Sequence, residues 1–336
     1  MTYLAISLAA PDTDAALAAM RDAVRTADLV ELRLDLMQRF DLAYLLAGRP
    51  LPAIVTCRPA REGGGWQGSE ADRLALLAQA AALGADYVDL EWDCADYVRR
   101  LDRSRTRVIL SRHDLVGTPP DLAALVQDLW SAGPDVVKVA VTAQRLADAV
   151  PVLQVLAEAT GPTIAISMGP HGLVTRLLAF RYGHALLSFA APTPSGKRGK
   201  ALCATAPGQL PAAAMRSVYR VHHLSPRTGL VGLVSPRANT SAALRLANAW
   251  LAKRNADVVV LPLQPARNED VAAALAALAA AAPWRGFLLE PPYDRGRRGL
   301  WPGNTVRLAD GVAQAATLEG LAERLSWIVA QDTSHG

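Results

Sequence analysis

Short apolar runs alternate with longer stretches of helical periodicity along the first two thirds of the chain. YLAISL (3–8), LVELRL (29–34), AIVTC (53–57), DYVDL (86–90), RVILS (107–111), DVVKVAV (135–141), TIAIS (163–167) and ALLSFA (185–190) have the length and composition of buried strands. Between them, helical spacing of apolar residues covers 12–26, 70–83, 120–132, 143–159 and 172–182, with shorter segments over 40–47 and 93–102 and a closing helix near 210–218. Eight strand–helix units over residues 1–220 predict a (β/α)8 TIM barrel. An open doubly wound sheet has fewer repeats and a glycine-rich phosphate turn, and neither GxGxxG nor GxxxxGKS occurs in the sequence.

The pattern then restarts. A strand over 228–234, a helix over 240–253, a strand over 256–263, a helix over 268–282, a strand over 286–290 and a last helix over 313–330 predict a small C-terminal α/β domain at 226–331.

One strand carries an anomaly. DVVKVAV is apolar apart from its first residue and Lys138 in its middle. Of 35 basic residues only four are lysine, so position 138 is not a random draw from an arginine-rich pool. Burying an unpaired ammonium is costly, and neutralising the group relieves the cost and leaves a nucleophilic amine. The alternative is a lysine that snorkels to the strand end or pairs with a carboxylate.

A barrel places its functional groups at the C-terminal ends of the strands. Glu31 and Arg33 stand there on the second strand, Arg58 and Glu62 follow the third, Glu91 the fourth, and His113 and Asp114 the fifth. Lys138 belongs to the sixth, Met168 and Arg176 follow the seventh, and a loop to APGQ (206–209) follows the eighth. A lysine, a histidine and carboxylates in one barrel mouth suit Schiff-base chemistry, with arginines to grip an anionic substrate. Such chemistry calls for no metal and no cofactor.

Composition narrows the field. Hydrophobic residues make up 51%, enough for a large core, and the net charge of +4 is scattered. GKRGK (196–200) and RGRR (295–298) are the only basic runs, so no nucleic-acid partner is expected. Three separated cysteines exclude a disulfide framework and favour a reducing compartment. With no basic leader at the N-terminus and no apolar run of spanning length, no membrane is expected and the cytoplasm is the expected location.

Seven motifs in order carry a more specific reading. ELRLD (31–35), TCRPAREGG (56–64), DYVDLE (86–91), ILSRHD with TP at 118–119, DVVKVAV, ISMGPHGLVTR (166–176) and APGQ together resemble type I 3-dehydroquinate dehydratase over residues 1 to 220. The resemblance implies a cofactor-independent lyase converting 3-dehydroquinate to 3-dehydroshikimate on the route to aromatic amino acids. It assigns Lys138 to imine formation, His113 to general acid/base work and Glu62 to orienting that histidine. Substrate binding falls to Glu31, Arg33, Arg58, Arg176, Thr205, Gln209 and Met168, and a homodimer is expected. Thr205 stands where the family usually has serine, 191–205 is longer than usual, and His184 replaces a small residue.

Other chemistry-bearing residues have simpler expectations. Glu31 and Arg33, two apart on a strand, could form a structural ion pair. Asp35, Asp89 and Asp114 read as supporting polar groups or barrel-bottom residues, and Cys57 as a core residue. His171, His184, His222, His223 and His335 read as loop or surface residues.

The C-terminal part resembles a degenerate substrate-binding lobe of shikimate dehydrogenase, through GLVGLV, NTSAALRLANAW (239–250) and GFLLEPPYD (286–294). Its substrate-loop serines become Ala238 and Thr240, its catalytic lysine aligns with Asp294, and no nucleotide-binding domain follows, so no dehydrogenase activity is expected. Stabilising the barrel, oligomerisation and ligand binding all remain open to it. For the barrel, two other readings stand: a class I aldolase-type lyase, which lacks a visible phosphate cradle here, and a non-catalytic barrel with a binding role.

Overall fold

The computed structural model describes residues 1–193, 205–290, 292–293, 305–307 and 326. Most of the long 191–205 stretch and of the helix expected over 313–330 lies outside the described residues. Eight parallel strands form the first sheet: β1 (Tyr3–Leu8), β2 (Leu29–Arg33), β3 (Ala53–Thr56), β4 (Tyr87–Glu91), β5 (Arg107–Asp114), β6 (Val136–Thr142), β7 (Thr163–Met168) and β8 (Leu187–Ala190). Their order is β7-β6-β5-β4-β3-β2-β1-β8. The seam between β7 and β8 is joined only at its lower end, where Thr163 bridges Ala185 and receives a hydrogen bond from the Leu186 amide at 2.9 Å. The sheet is thus a nearly closed barrel, as the eight repeats predict.

Helices α1 (Thr13–Ala23), α2 (Leu42–Ala47), α3 (Glu70–Ala82), α4 (Leu122–Ser131), α5 (Ala149–Glu158), α6 (Leu173–Leu178) and α7 (Ala212–Ser217) surround it. Polar caps start four of them: Asp12, Asp41, Ser69 and Asp121 accept from amides of the first turn. The segment expected as a helix over 93–102 is a 3-10 run, Trp92–Arg100, broken at Cys94. Its polar sequence gives an α-helix too little apolar face to bury.

Period-two alternation sorts each strand. Val137, Val139 and Val141 face the surrounding helices, while Val136 joins Ala5, Leu29, Ile54, Tyr87, Ile109, Ile164 and Leu187 in an apolar plug inside the barrel. Two residues further along the same faces come Ser7, Glu31, Thr56, Asp89, Ser111 and Lys138, all buried. The barrel interior is therefore apolar below and ionic above, and Lys138 sits at the boundary.

The second sheet has the order β10-β9-β11-β12, all parallel, with β9 (Gly229–Val234), β10 (Val258–Leu263), β11 (Trp284–Leu289) and β12 (Thr305–Arg307). Helices α8 (Ala242–Lys253) and α9 (Val271–Ala281) connect its strands. β12 had no counterpart in the sequence reading, because a three-residue strand is too short to show periodicity. No helix among the described residues is long and apolar enough to cross a membrane.

Candidate active site

A cavity of about 160 Å³ opens at the C-terminal ends of the barrel strands. All ten residues singled out from the sequence line it: Glu31, Arg33, Arg58, Glu62, His113, Lys138, Met168, Arg176, Thr205 and Gln209. Gly63, Leu115, Ala140, Ile166, Phe189, Ala206 and Pro207 complete the wall.

Lys138 is 4% exposed, and its Nζ lies 2.7 Å from Asp89 Oδ2 and 3.6 Å from Glu31 Oε1. The Phe189 ring lies 4.9 Å from the same nitrogen. Asp89 is shared: Arg58 NH2 approaches its Oδ2 at 2.8 Å, and Ser111 Oγ donates to its Oδ1 at 2.6 Å. Burial pushes the Asp89 carboxyl up, but Arg58 and Lys138 outweigh it and hold the group well below the usual carboxylate range. Asp89 is thus a fixed negative charge against the lysine, a closer role than the supporting one read from the sequence. A period-two count from Glu91 puts Asp89 on the inward face; the sequence could not say which inward carboxylate meets Nζ.

Glu31 is held by Ser7 Oγ at 2.5 Å and Thr56 Oγ1 at 2.9 Å. It does not pair with Arg33. Arg33 donates instead through Nε and NH2 to both oxygens of Asp35, which also accepts from the Gly65 amide at 2.9 Å. That arrangement fixes Arg33 and the glycine-rich turn together. Arg58 donates to Glu91 at 2.7 Å, and Glu91 in turn meets Arg73 of α3, a fully buried guanidinium.

His113 Nδ1 lies 2.9 Å from Glu62 Oε2, which also accepts from the His113 amide at 3.2 Å. Burial, then the charges of Arg58 and Lys138, hold the imidazole well below its ordinary value of 6.5. A neutral ring whose Nδ1–H donates to Glu62 keeps Nε2 free to take a proton. Burial pushes the Glu62 carboxyl up to about 7, only partly offset by Arg58.

Arg176 is buried without a carboxylate partner among the described residues. Its NH1 and NH2 reach only the carbonyls of Phe189 and Pro207, at 3.3 and 3.4 Å, and Nε has no partner. Burial lowers its pKa to about 10. It supplies an uncompensated positive charge to the cavity wall, which an anionic group would satisfy. Gln209 Oε1 accepts from the Thr205 amide at 3.0 Å, closing the turn that carries both.

Among the histidines expected in loops or at the surface, His184 and His223 are exposed. His222 instead pairs with Asp28 at 2.7 Å, and His171 with the Gln264 carbonyl at 2.7 Å. Cys57 is buried, as expected for a core residue.

The family described as type I 3-dehydroquinase matches residues 4–226. The chain belongs to that family. This 3-dehydroquinase barrel is 34% identical over 218 residues to the chloroplastic bifunctional 3-dehydroquinate dehydratase/shikimate dehydrogenase of Arabidopsis thaliana, covering 62% of this chain and 35% of that protein. It is 35% identical over 203 residues to a 3-dehydroquinate dehydratase of Desulfotalea psychrophila, covering 57% of this chain and 86% of the relative. Among solved structures, the 3-dehydroquinate dehydratase of Geobacillus kaustophilus matches with a TM-score of 0.56 and 26% identity over 66% of this chain and 90% of its own. The dehydroquinate dehydratase and shikimate dehydrogenase of S. pombe AroM shares the fold with a TM-score of 0.54 and 20% identity, over 87% of this chain and 57% of its own. The 3-dehydroquinase family and its relatives make the barrel that of a lyase, a 3-dehydroquinate dehydratase.

Proposed function

We propose that the barrel dehydrates 3-dehydroquinate to 3-dehydroshikimate through an imine on Lys138, within the shikimate route to aromatic amino acids. One observation carries this reading most directly. Buried Lys138 lines the same cavity as Arg176, a buried arginine with no carboxylate partner among the described residues, so a nucleophile faces an anion-binding group. Arg176 holds the substrate carboxylate. The Lys138 amine attacks the ketone, whose oxygen leaves as water, and the nitrogen becomes an iminium. Asp89 keeps its negative charge beside that nitrogen throughout, so the iminium forms in a prearranged field. His113 removes the C2 proton and the electron pair passes into the iminium, giving an enamine. The enamine expels the C1 hydroxyl, which takes the proton from His113 and departs as water. Water then hydrolyses the product iminium and frees Lys138. Glu62 holds the His113 ring in the required tautomer.

The same reading takes residues 1–220 as the catalytic domain, working as a homodimer in the cytoplasm. It takes 226–331 as a degenerate lobe without dehydrogenase activity, supported by Ala238 and Thr240 in place of serines and by the parallel four-stranded sheet. Purified protein mixed with 3-dehydroquinate tests the activity, because the conjugated product absorbs in the ultraviolet and the substrate does not. Turnover supports the reading, and its absence in folded protein removes it.

A further inference from the structure

The C-terminal unit touches the barrel beside the active site. The amides of Leu146 and Ala147 open the turn ahead of α5, and both donate to the Glu269 carboxylate, at 2.8 and 2.9 Å. Glu269 is 123 residues distant from Leu146 in sequence and also accepts from the Ala266 amide of its own loop at 2.9 Å. A carboxylate over the first free amides of a helix satisfies donors that otherwise have no partner. The same loop, 264–270, makes a second contact: His171 Nδ1–H donates to the Gln264 carbonyl at 2.7 Å. Further packing joins α9 to α5 and β10 to α6.

These contacts fall on the elements that follow Lys138 and Met168. His171 belongs to the turn 169–172, between Met168 and the helix that carries Arg176. The Gly169 amide donates to the Pro207 carbonyl at 3.2 Å, and Arg176 reaches the same carbonyl. Gly208, at φ +76°, lies so close that a Cβ there would stand 2.4 Å from the Gly169 oxygen. The Ala143 amide donates to the Met168 carbonyl at 3.0 Å, tying the turns after β6 and β7 together. Hydrogen bonds linked through the backbone of the turns after β6 and β7 therefore connect Gln264 and Glu269 to the segment Thr205–Gln209, which lines the cavity.

We propose that loop 264–270 braces the active site, with Glu269 and His171 as positioning residues that hold the 169–172 turn against Thr205–Gln209. Taking the cavity as the site of the barrel reaction, the brace acts on the grip of Arg176 and Gln209 on substrate rather than on imine formation. It gives the C-terminal unit a role in a reaction to which it contributes no lining residue among those described.

The test uses the full chain. Glu269→Ala and His171→Ala are each expected to raise KM for 3-dehydroquinate about fivefold while changing kcat by less than about twofold. Glu269→Gln and His171→Asn, which keep a bonding group, are expected to recover most of the loss. Hydrogen exchange is expected to quicken in the peptide spanning 205–209 and to stay unchanged in β2 and β3. Folded variants with wild-type KM and wild-type exchange at 205–209 would overturn the brace. If Glu269→Ala fails to fold, His171→Ala, which deletes one bond at the edge of a turn, is read alone by both measurements. If the wild-type protein shows no turnover, the functional reading fails, and exchange at 205–209 still decides whether the brace exists.

Discussion

At the residue scale, the site is a balance of charges that burial makes expensive and pairing makes stable. Lys138, Arg58 and Arg33 face Asp89, Glu31, Glu91 and Asp35 at contact distances, and Glu62 has only the longer approaches of Arg58 and Arg112 at 3.9 and 3.7 Å, so among the described residues Arg176 is the site's uncompensated charge. The Glu62–His113 pair sets the pH response. Glu62, raised to about 7, is protonated below that value and then no longer presents a negative charge to the His113 Nδ1–H. The value of kcat/KM is expected to fall as pH drops below about 7, with His113 protonating at still lower pH. Glu62→Gln should lower kcat about tenfold or more and remove the limb near pH 7, which a pH profile of both proteins checks. Most of the ten predicted cavity residues were legible from their places at the strand ends, and the motif resemblance added Thr205 and gave each residue its role. Alternation alone marks Glu31, Asp89, Ser111 and Lys138 as sharing the barrel interior, without saying which carboxylate meets the ammonium. Pairing across 49 residues between Asp89 and Lys138 depends on the closed barrel and has no local signature.

At the scale of elements, strands aim the groups and turns set their spacing. The turn after β3 carries both Arg58 and Glu62, and it folds back until a Cβ on Gly64 would lie 1.9 Å from the Arg58 carbonyl oxygen. Backbone cannot yield there as a flexible side chain would. Gly64→Ala is expected to cut kcat/KM by about 10- to 100-fold with the far-ultraviolet dichroism intact, because the displaced turn is at the barrel mouth. Gly117→Ala, where a Cβ meets nothing within 4 Å, should leave both unchanged. Strands were the best-read elements, since apolar runs bounded by turn residues fix them to within two residues, except that β5 runs three residues beyond the expected 107–111 into the polar SRHD segment. The 3-10 run Trp92–Arg100 and the contacts of His171 were not legible. The first depends on how much apolar surface a polar segment can bury, and the second on a unit about 90 residues further along the chain.

At the scale of the whole molecule, the same ion pairs govern acid stability. Asp89 and Asp35 have folded pKa values below the ordinary carboxylate value, so their contribution is present above about pH 4 and is lost as pH falls through the folded values. His113 is held below 6.5, so its contribution is lost as pH falls beneath that value. Glu62 runs the other way: its raised pKa gives stability that is present below about pH 4.5 and lost as pH rises through about 7. Three of the four groups weaken the fold in acid, with His113 and Glu62 opposing each other between pH 7 and 4.5, and the melting temperature is expected to fall as pH drops below about 4. Asp89→Asn should melt lower at pH 7 and show a shallower decline in acid, and thermal melts at pH 7 and in acid check it. An unchanged slope would mean that Asp89 is not the buried charge that acid neutralises.

The central claim is that Lys138 is a nucleophile, and borohydride trapping tests it most directly. The protein is incubated with 3-dehydroquinate, reduced with sodium borohydride, digested and mapped by mass spectrometry, with Lys138→Ala as control. A ligand-sized adduct on Lys138, absent from the control, is the expected result. Folded protein with no adduct, or with one only on another lysine, would contradict the account and leave Lys138 as a structural partner of Asp89.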